Sequence, residues 1–198
     1  MPDALKIEIK NIPDAGGILD RLRRPMLEAG ARALSNAIVK NFRRRNSRGN
    51  AKGFPRSNFW QDAAESVTSA VEGDTMSATI RRQGVRLRWK GGEVRPKDGR
   101  KALAIPVDPS VAHEWPSEYA GRGGALFHVW PKGRNTGFLA NRGTAEKHAR
   151  ILWMLVAKTT HKPDPSVIPP EGELRDKIVR AMKRALRAAQ GGAEGGAQ

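Results

Sequence analysis

A chain of 198 residues with 38% apolar and only 6% aromatic side chains has material for one domain of ordinary size with a modest core, not for two large domains. Its 36 Lys and Arg outnumber 20 Asp and Glu, giving a net charge of +16, and no apolar run approaches the ~20 residues that cross a bilayer, so no membrane partner is expected. The absence of Cys excludes disulfides and Cys-based zinc sites, and the start MPDALKIEIK lacks the charged-then-apolar layout of a signal peptide.

Leu5, Ile7 and Ile9 alternate with polar residues and predict a short strand. From Ile18 the residues Leu19, Leu22, Met26, Gly30, Leu34, Ile38 and Phe42 step by three or four, which predicts an amphipathic helix over 18–42. Pro25 either kinks this helix or opens a shorter one near Arg24. The stretch 43–56, rich in Arg, Gly and Asn, reads as a loop. Phe59, Trp60, Ala63, Ala64, Val67 and Val71 then share one face of a second helix, with Ser57 placed as its N-cap.

Beyond Glu72-Gly73-Asp74 the period becomes two. Met76, Ala78 and Ile80, then Val85, Leu87 and Trp89, read as two strands, and Leu103, Ile105 and Val107 as a third limited by Pro106 and Pro109. Long loops are expected over 91–101 and 108–150, interrupted by a strand at Phe127 and Val129. Residues 151–156, Ile-Leu-Trp-Met-Leu-Val, are apolar on both faces, hence a buried central strand or a buried helical turn. The prolines from Pro163 to Pro170 make a stiff linker. The clearest helix follows over 171–189, with Leu174, Ile178, Met182 and Leu186 in one stripe and charges that match its macrodipole. Residues 191–198 read as a flexible Gly-rich tail. There is no evident internal repeat, and the order of elements indicates an α+β fold, one domain over 1–190 with an antiparallel sheet.

Chemistry is sparse along this chain. His113, His128, His148 and His161 are scattered outside any metal-ligand spacing, and His113-Glu114 lies in an irregular stretch. Gly121-Arg122-Gly123-Gly124 lacks the Gly-Lys-Ser/Thr of a phosphate loop. Asp164, Glu171 and Glu173 are the nearest approach to clustered carboxylates, and a Pro-rich linker and a helix start already explain them. No enzyme activity, cofactor or metal is therefore expected.

The positive charge is spread over the body, with net +6, +4, +3 and +3 over 1–50, 51–100, 101–150 and 151–198. This points to an acidic partner, either nucleic acid or an acidic protein surface. Arg43, Arg44, Arg45 and Arg48, with Arg95, Lys97, Arg100 and Lys101 in the second loop, are the candidate contacts. The competing reading of the first cluster is a helix C-terminus complemented by charge and a solvated loop. Trp89 is assigned to packing, and Trp115 and Trp130 to a subunit interface. The stripe Leu174, Ile178, Met182 and Leu186 must be covered by the chain's own sheet or by an adjacent subunit.

The stretch QGVRLRWKGGEVRPKDGRKALAIPVDP, residues 83–109, combines a basic aromatic segment, a Gly-Gly turn, a basic loop and Leu-x-Ile-Pro-Val. In this it resembles the virion-morphogenesis or tail-completion proteins of tailed bacteriophages and prophages. N-terminal helices ending in a basic stretch, a central antiparallel sheet with long loops and a C-terminal helix after a Pro-containing segment follow the same order over most of the chain. The resemblance implies a structural virion protein that is made in the host bacterial cytoplasm and works at the head–tail joint or tail end. It also implies a homo-oligomeric ring, commonly a hexamer, among other phage neck and tail proteins, with genomic DNA in the lumen. The alternatives are a DNA-binding protein using its basic loops, and a small enzyme with an unrecognised site.

Overall fold

The computed structural model describes residues 5–9, 18–47, 54–55, 57–134, 136–142 and 149–194. The fold is α+β with antiparallel sheets. Where sequence indicates one domain over 1–190, the chain groups into two compact units: residues 1–48, 58–91 and 163–198 form the first, and 49–57 and 92–162 the second.

In the first unit, strand β1 (Leu5–Ile9) is followed by helix α1 (Ile18–Asn46), which runs through Pro25 as a single helix. Helix α2 (Phe59–Glu65) is shorter than its apolar spacing indicates, and Asn58, not Ser57, occupies its N-cap position. Val67 and Val71 belong instead to strand β2 (Val67–Glu72), which pairs with β3 (Thr75–Ile80), and β1 adds to the other side of β3. The stretch Val85 to Trp89, expected as a strand, is helix α3 (Val85–Lys90). Gly84 and Gly91, at φ of 84° and 72°, open and close it in backbone conformations that favour glycine. Helix α5 (Glu171–Glu194), numbered after the second unit's α4, continues through Gly191 to Glu194 where a tail is expected; residues 195–198 lie outside the described residues.

The core of this unit forms where α1 meets α5 and the three-stranded sheet. Leu27, Ala31, Leu34, Ile38 and Phe42 recur at helical spacing on α1 and are buried with Met76, Ala78 and Ile80 of β3 and with Leu174 and Ile178 of α5. Gly30 lies at the tightest point. A Cβ there would run into the Met76 thioether and stand 3.3 Å from both Ile178 Cγ2 and Met182 Cγ, so glycine is what allows the helices and the sheet to close on one another. Buried Asn41 donates from Nδ2 to the carbonyls of Ser166 (3.1 Å) and Val167 (2.8 Å), which ties α1 to the segment preceding α5.

The second unit contains a two-stranded ribbon, β4 (Gly92–Val94) with β9 (Thr159–His161), and a four-stranded sheet. The sheet comprises β5 (Leu103–Pro106), β6 (Leu126–Val129), β7 (Thr136–Asn141) and β8 (Arg150–Val156) in the order β5-β8-β7-β6, all antiparallel. Residues 108–150 are thus no continuous loop: helix α4 (Pro116–Gly121) and strands β6 and β7 lie within it. One sheet face carries the core, where Leu139, Leu152, Trp153 and Leu155 pack with Val111. Tyr119 of α4 meets Trp153 edge-on at 5.5 Å.

A short sequence not apparent as a repeat occurs once in each unit. Asp-Pro-Ser-Val stands at 108–111 and again at 164–167, and each copy forms one turn of 3-10 helix capped by its Asp. In each, the Ser N–H and hydroxyl donate to the Asp, an arginine pairs with it (Arg150 with Asp108, Arg45 with Asp164), and the Val is buried. The Ser166 hydroxyl holds the Asp164 carboxyl below its usual range, burial opposes this, and Arg45 adds to the lowering. At Asp108 burial pushes upward, and the Ser110 donors with Arg150 outweigh it. A carboxyl depressed in the folded state contributes stability that is complete above its unfolded value of about 3.9 and is lost as pH falls through the lower folded value. Asp108→Asn and Asp164→Asn should therefore each flatten the acid limb of a Tm-against-pH curve below about pH 4, and an unchanged acid limb would show that the turns contribute nothing there.

Candidate functional site

The four-stranded sheet has a second face, and its composition is unusual for a face turned from the core. In antiparallel strands directly opposed residues project to the same side, so the register defines three rows. Leu103, Val156 and Thr136 form the first; Ile105, Met154, Phe138 and Val129 the second; Ile151, Ala140 and Phe127 the third. No charged residue interrupts them. Except for Ala140, all are half-buried or exposed, with Ile151 at 45% and Val129 at 37%.

A bulge creates part of this arrangement. Leu139 and Ala140 of β7 face Trp153 and Ile151 of β8, leaving Leu152 as the extra residue. The added residue lets Leu152 and Trp153 both turn into the core while Ile151 turns outward. Residues 151–156 thus form a strand between two neighbours, as one of the two readings of their apolarity expects, but only one of the strand's faces is covered among the described residues.

Trp115 and Trp130, assigned to an interface, belong to the same unit and are 60% and 56% exposed. The Trp130 ring lies against Gly137, where a Cβ would run into it, so part of the ring already serves the unit's own packing. Among the described residues, five of the six large apolar side chains that stay exposed, Val107, Trp115, Val129, Trp130 and Ile151, are in the second unit. Strands β5 and β6 each have one neighbour, so the sheet offers two different edges.

The basic candidates divide. Because α1 extends to Asn46, successive arginines fan around the helix: Arg43 is exposed, Arg44 is exposed but donates to Asn41 Oδ1 at 2.8 Å, and Arg45, 13% exposed, pairs with Asp164 at 2.9 Å and lies 5.0 Å over the Trp60 ring. Arg88 covers the Phe59 ring at 4.3 Å beside it. Arg48 lies outside the described residues. In the second loop Arg95 pairs with Glu93 at 2.5 Å, and Lys97, Arg100 and Lys101 are exposed with no carboxylate partner among the described residues. Of the α5 stripe, Leu174 and Ile178 are buried in the first unit's own core, Met182 is half-buried against it, and Leu186 is half-buried.

Among the described residues no three His, Asp or Glu side chains converge to hold a metal ion, and no helix is long and apolar enough to cross a membrane. Sequence reading missed the row residues Phe138 and Met154 as surface, because their exposure depends on a register that only pairing across four strands defines. Comparison with family models, with curated proteins and with solved structures finds no match to this chain.

Proposed function

We propose that the protein is a structural component of a tailed-phage particle, of the head–tail joining or tail-completion kind, and that it works as a closed ring of copies of itself. The observation that carries this reading is the apolar face of the β5-β8-β7-β6 sheet, whose rows carry no charged residue and, except at Ala140, stay half-buried or exposed among the described residues. A contiguous apolar face of this kind marks an interaction surface, and an uncharged one lets a second copy approach despite the chain's net charge of +16. The two different free edges support a head-to-tail contact, the type that closes into rings. Six copies is the number that the family resemblance implies, and the neighbours in the particle would be other neck and tail proteins.

Electron microscopy of the purified chain at increasing concentration tests this directly. Closed rings of uniform copy number are the expected images. Single copies at all concentrations, or open filaments without closure, would overturn the ring.

A further inference from the structure

We propose that a groove between α1 and α5 in the first unit binds the phosphate backbone of nucleic acid without regard to base sequence. This goes beyond the ring reading and does not depend on it. The groove has a volume of about 630 Å³; Ala33, Asn36 and Ala37 of α1 line its low side, and Lys40 stands at one end. The opposite wall is a row of cations on α5: Lys177, Arg180, Lys183, Arg184 and Arg187. Their spacing of three or four residues keeps them on one face of the helix, next to the stripe that Leu174 and Ile178 bury.

No carboxylate lines the groove. Lys177 is paired with Glu173 at 2.5 Å, and Lys40 also lies close enough to Glu173 to help hold its carboxyl below the usual range, whereas Lys183, Arg184 and Arg187 have no carboxylate partner among the described residues, and Arg180 donates only to the carbonyl of Asp176. Uncompensated cations facing one another across a concave surface repel, and an anion that enters relieves the repulsion. These cations stand in the middle of α5, which runs on to Glu194 and has no basic residue in its last turn, so complementing the helix macrodipole does not explain them.

The linear density of charge selects the partner. From Lys177 to Arg187 the helix rises about 15 Å, over which one strand of B-form nucleic acid presents about four phosphates, against the five cations of that wall. An acidic protein surface seldom sustains a charge so regularly over that distance, and the three guanidinium groups suit phosphate oxygens in particular. The small side chains of α1 leave room for a sugar–phosphate strand. With no aromatic ring lining the groove, there is nothing on which bases would stack, hence no preference for sequence.

The test is a titration of the full chain with labelled duplex DNA of mixed sequence over a range of salt. It is repeated with Arg180→Gln/Lys183→Gln/Arg184→Gln/Arg187→Gln and, separately, with Lys97→Gln/Arg100→Gln/Lys101→Gln. Glutamine is a good helix former, and these positions are exposed, so the fold should persist, as circular dichroism will verify. Each lost phosphate contact lowers the slope of log K against log salt by about 0.9, so the groove variant should lose about 3 to 4 units of slope and the loop variant less than 1 unit, roughly one contact. A groove variant with the parent slope, or a parent chain that binds polyglutamate more tightly than DNA, would overturn the assignment.

Discussion

Ile178→Asp should leave no folded first unit at all. The side chain is 3% exposed and its Cγ2 stands 3.3 Å from the place a Gly30 Cβ would take, at the point where α1, α5 and β3 share one core. Truncating such a residue to Ala costs about 2–5 kcal/mol, and a carboxylate in the same place adds the cost of desolvating a charge with no partner. The total is comparable to the whole stability of a domain, about 5–15 kcal/mol. Far-UV circular dichroism and denaturant titration would register the loss, while Ile178→Val, which removes one methyl, should cost only about 1 kcal/mol. Because Leu174 and Ile178 are covered by the chain itself, the damage should appear as loss of folded protein; a folded Ile178→Asp chain that merely failed to assemble would contradict this packing.

Ile151→Glu combined with Val129→Glu should have the opposite signature. Both residues already face away from the core of their own unit at 45% and 37% exposure, so charges there meet water in the single copy and Tm should move little. In the proposed ring the same positions would be covered. Burying one such aliphatic side chain is worth about 1.5–3 kcal/mol, and a carboxylate in its place turns that gain into a desolvation cost. A combined loss of about 3 kcal/mol already weakens association more than 100-fold. Light scattering during size-exclusion chromatography should therefore find the variant as a folded single copy where the parent associates. A variant that associates like the parent would remove this face from the interface.

Much of the helical part of the fold is legible in the chain because long apolar stripes have a single solution. Leu34, Ile38 and Phe42 on α1, and Leu174 and Ile178 on α5, lie inward where their spacing places them. Short segments are not decided by period alone. Val85 and Trp89 are two alternations apart in a strand and also one helical turn apart, and the flanking Gly84 and Gly91 with positive φ settle the six residues as α3. Val67 and Val71 pose the same ambiguity in reverse: their i, i+4 spacing fits a helix, but Val-Thr-Ser-Ala-Val, with three β-branched residues in five, pairs along its length with β3. Strand β7, with Gly137 and Asn141 in it and no alternation to betray it, exists because β6 and β8 bind it on both sides.

The candidate surfaces were readable only in part, for a related reason. That residues 151–156 are apolar on both faces is a sequence fact, but which face stays uncovered depends on the bulge at Leu152 and the pairing of four strands. The basic residues show the converse. Arg43, Arg44 and Arg45 are conspicuous as a run, yet a run on a helix scatters its charges, and Arg45 is absorbed by Asp164 and Trp60. The cations of α5 are less conspicuous in sequence, but their helical spacing concentrates them on one side facing Lys40 of a helix more than a hundred residues earlier.

The central claim is that the open face of the β5-β8-β7-β6 sheet is covered by another copy of the chain, and sedimentation equilibrium of the parent protein over a range of concentrations tests it most directly. The account predicts a mass that rises with concentration to a fixed integral multiple of 21.7 kDa and stops there, as a closed ring requires. A mass that stays at one copy throughout, or that grows without reaching a limit, would contradict it.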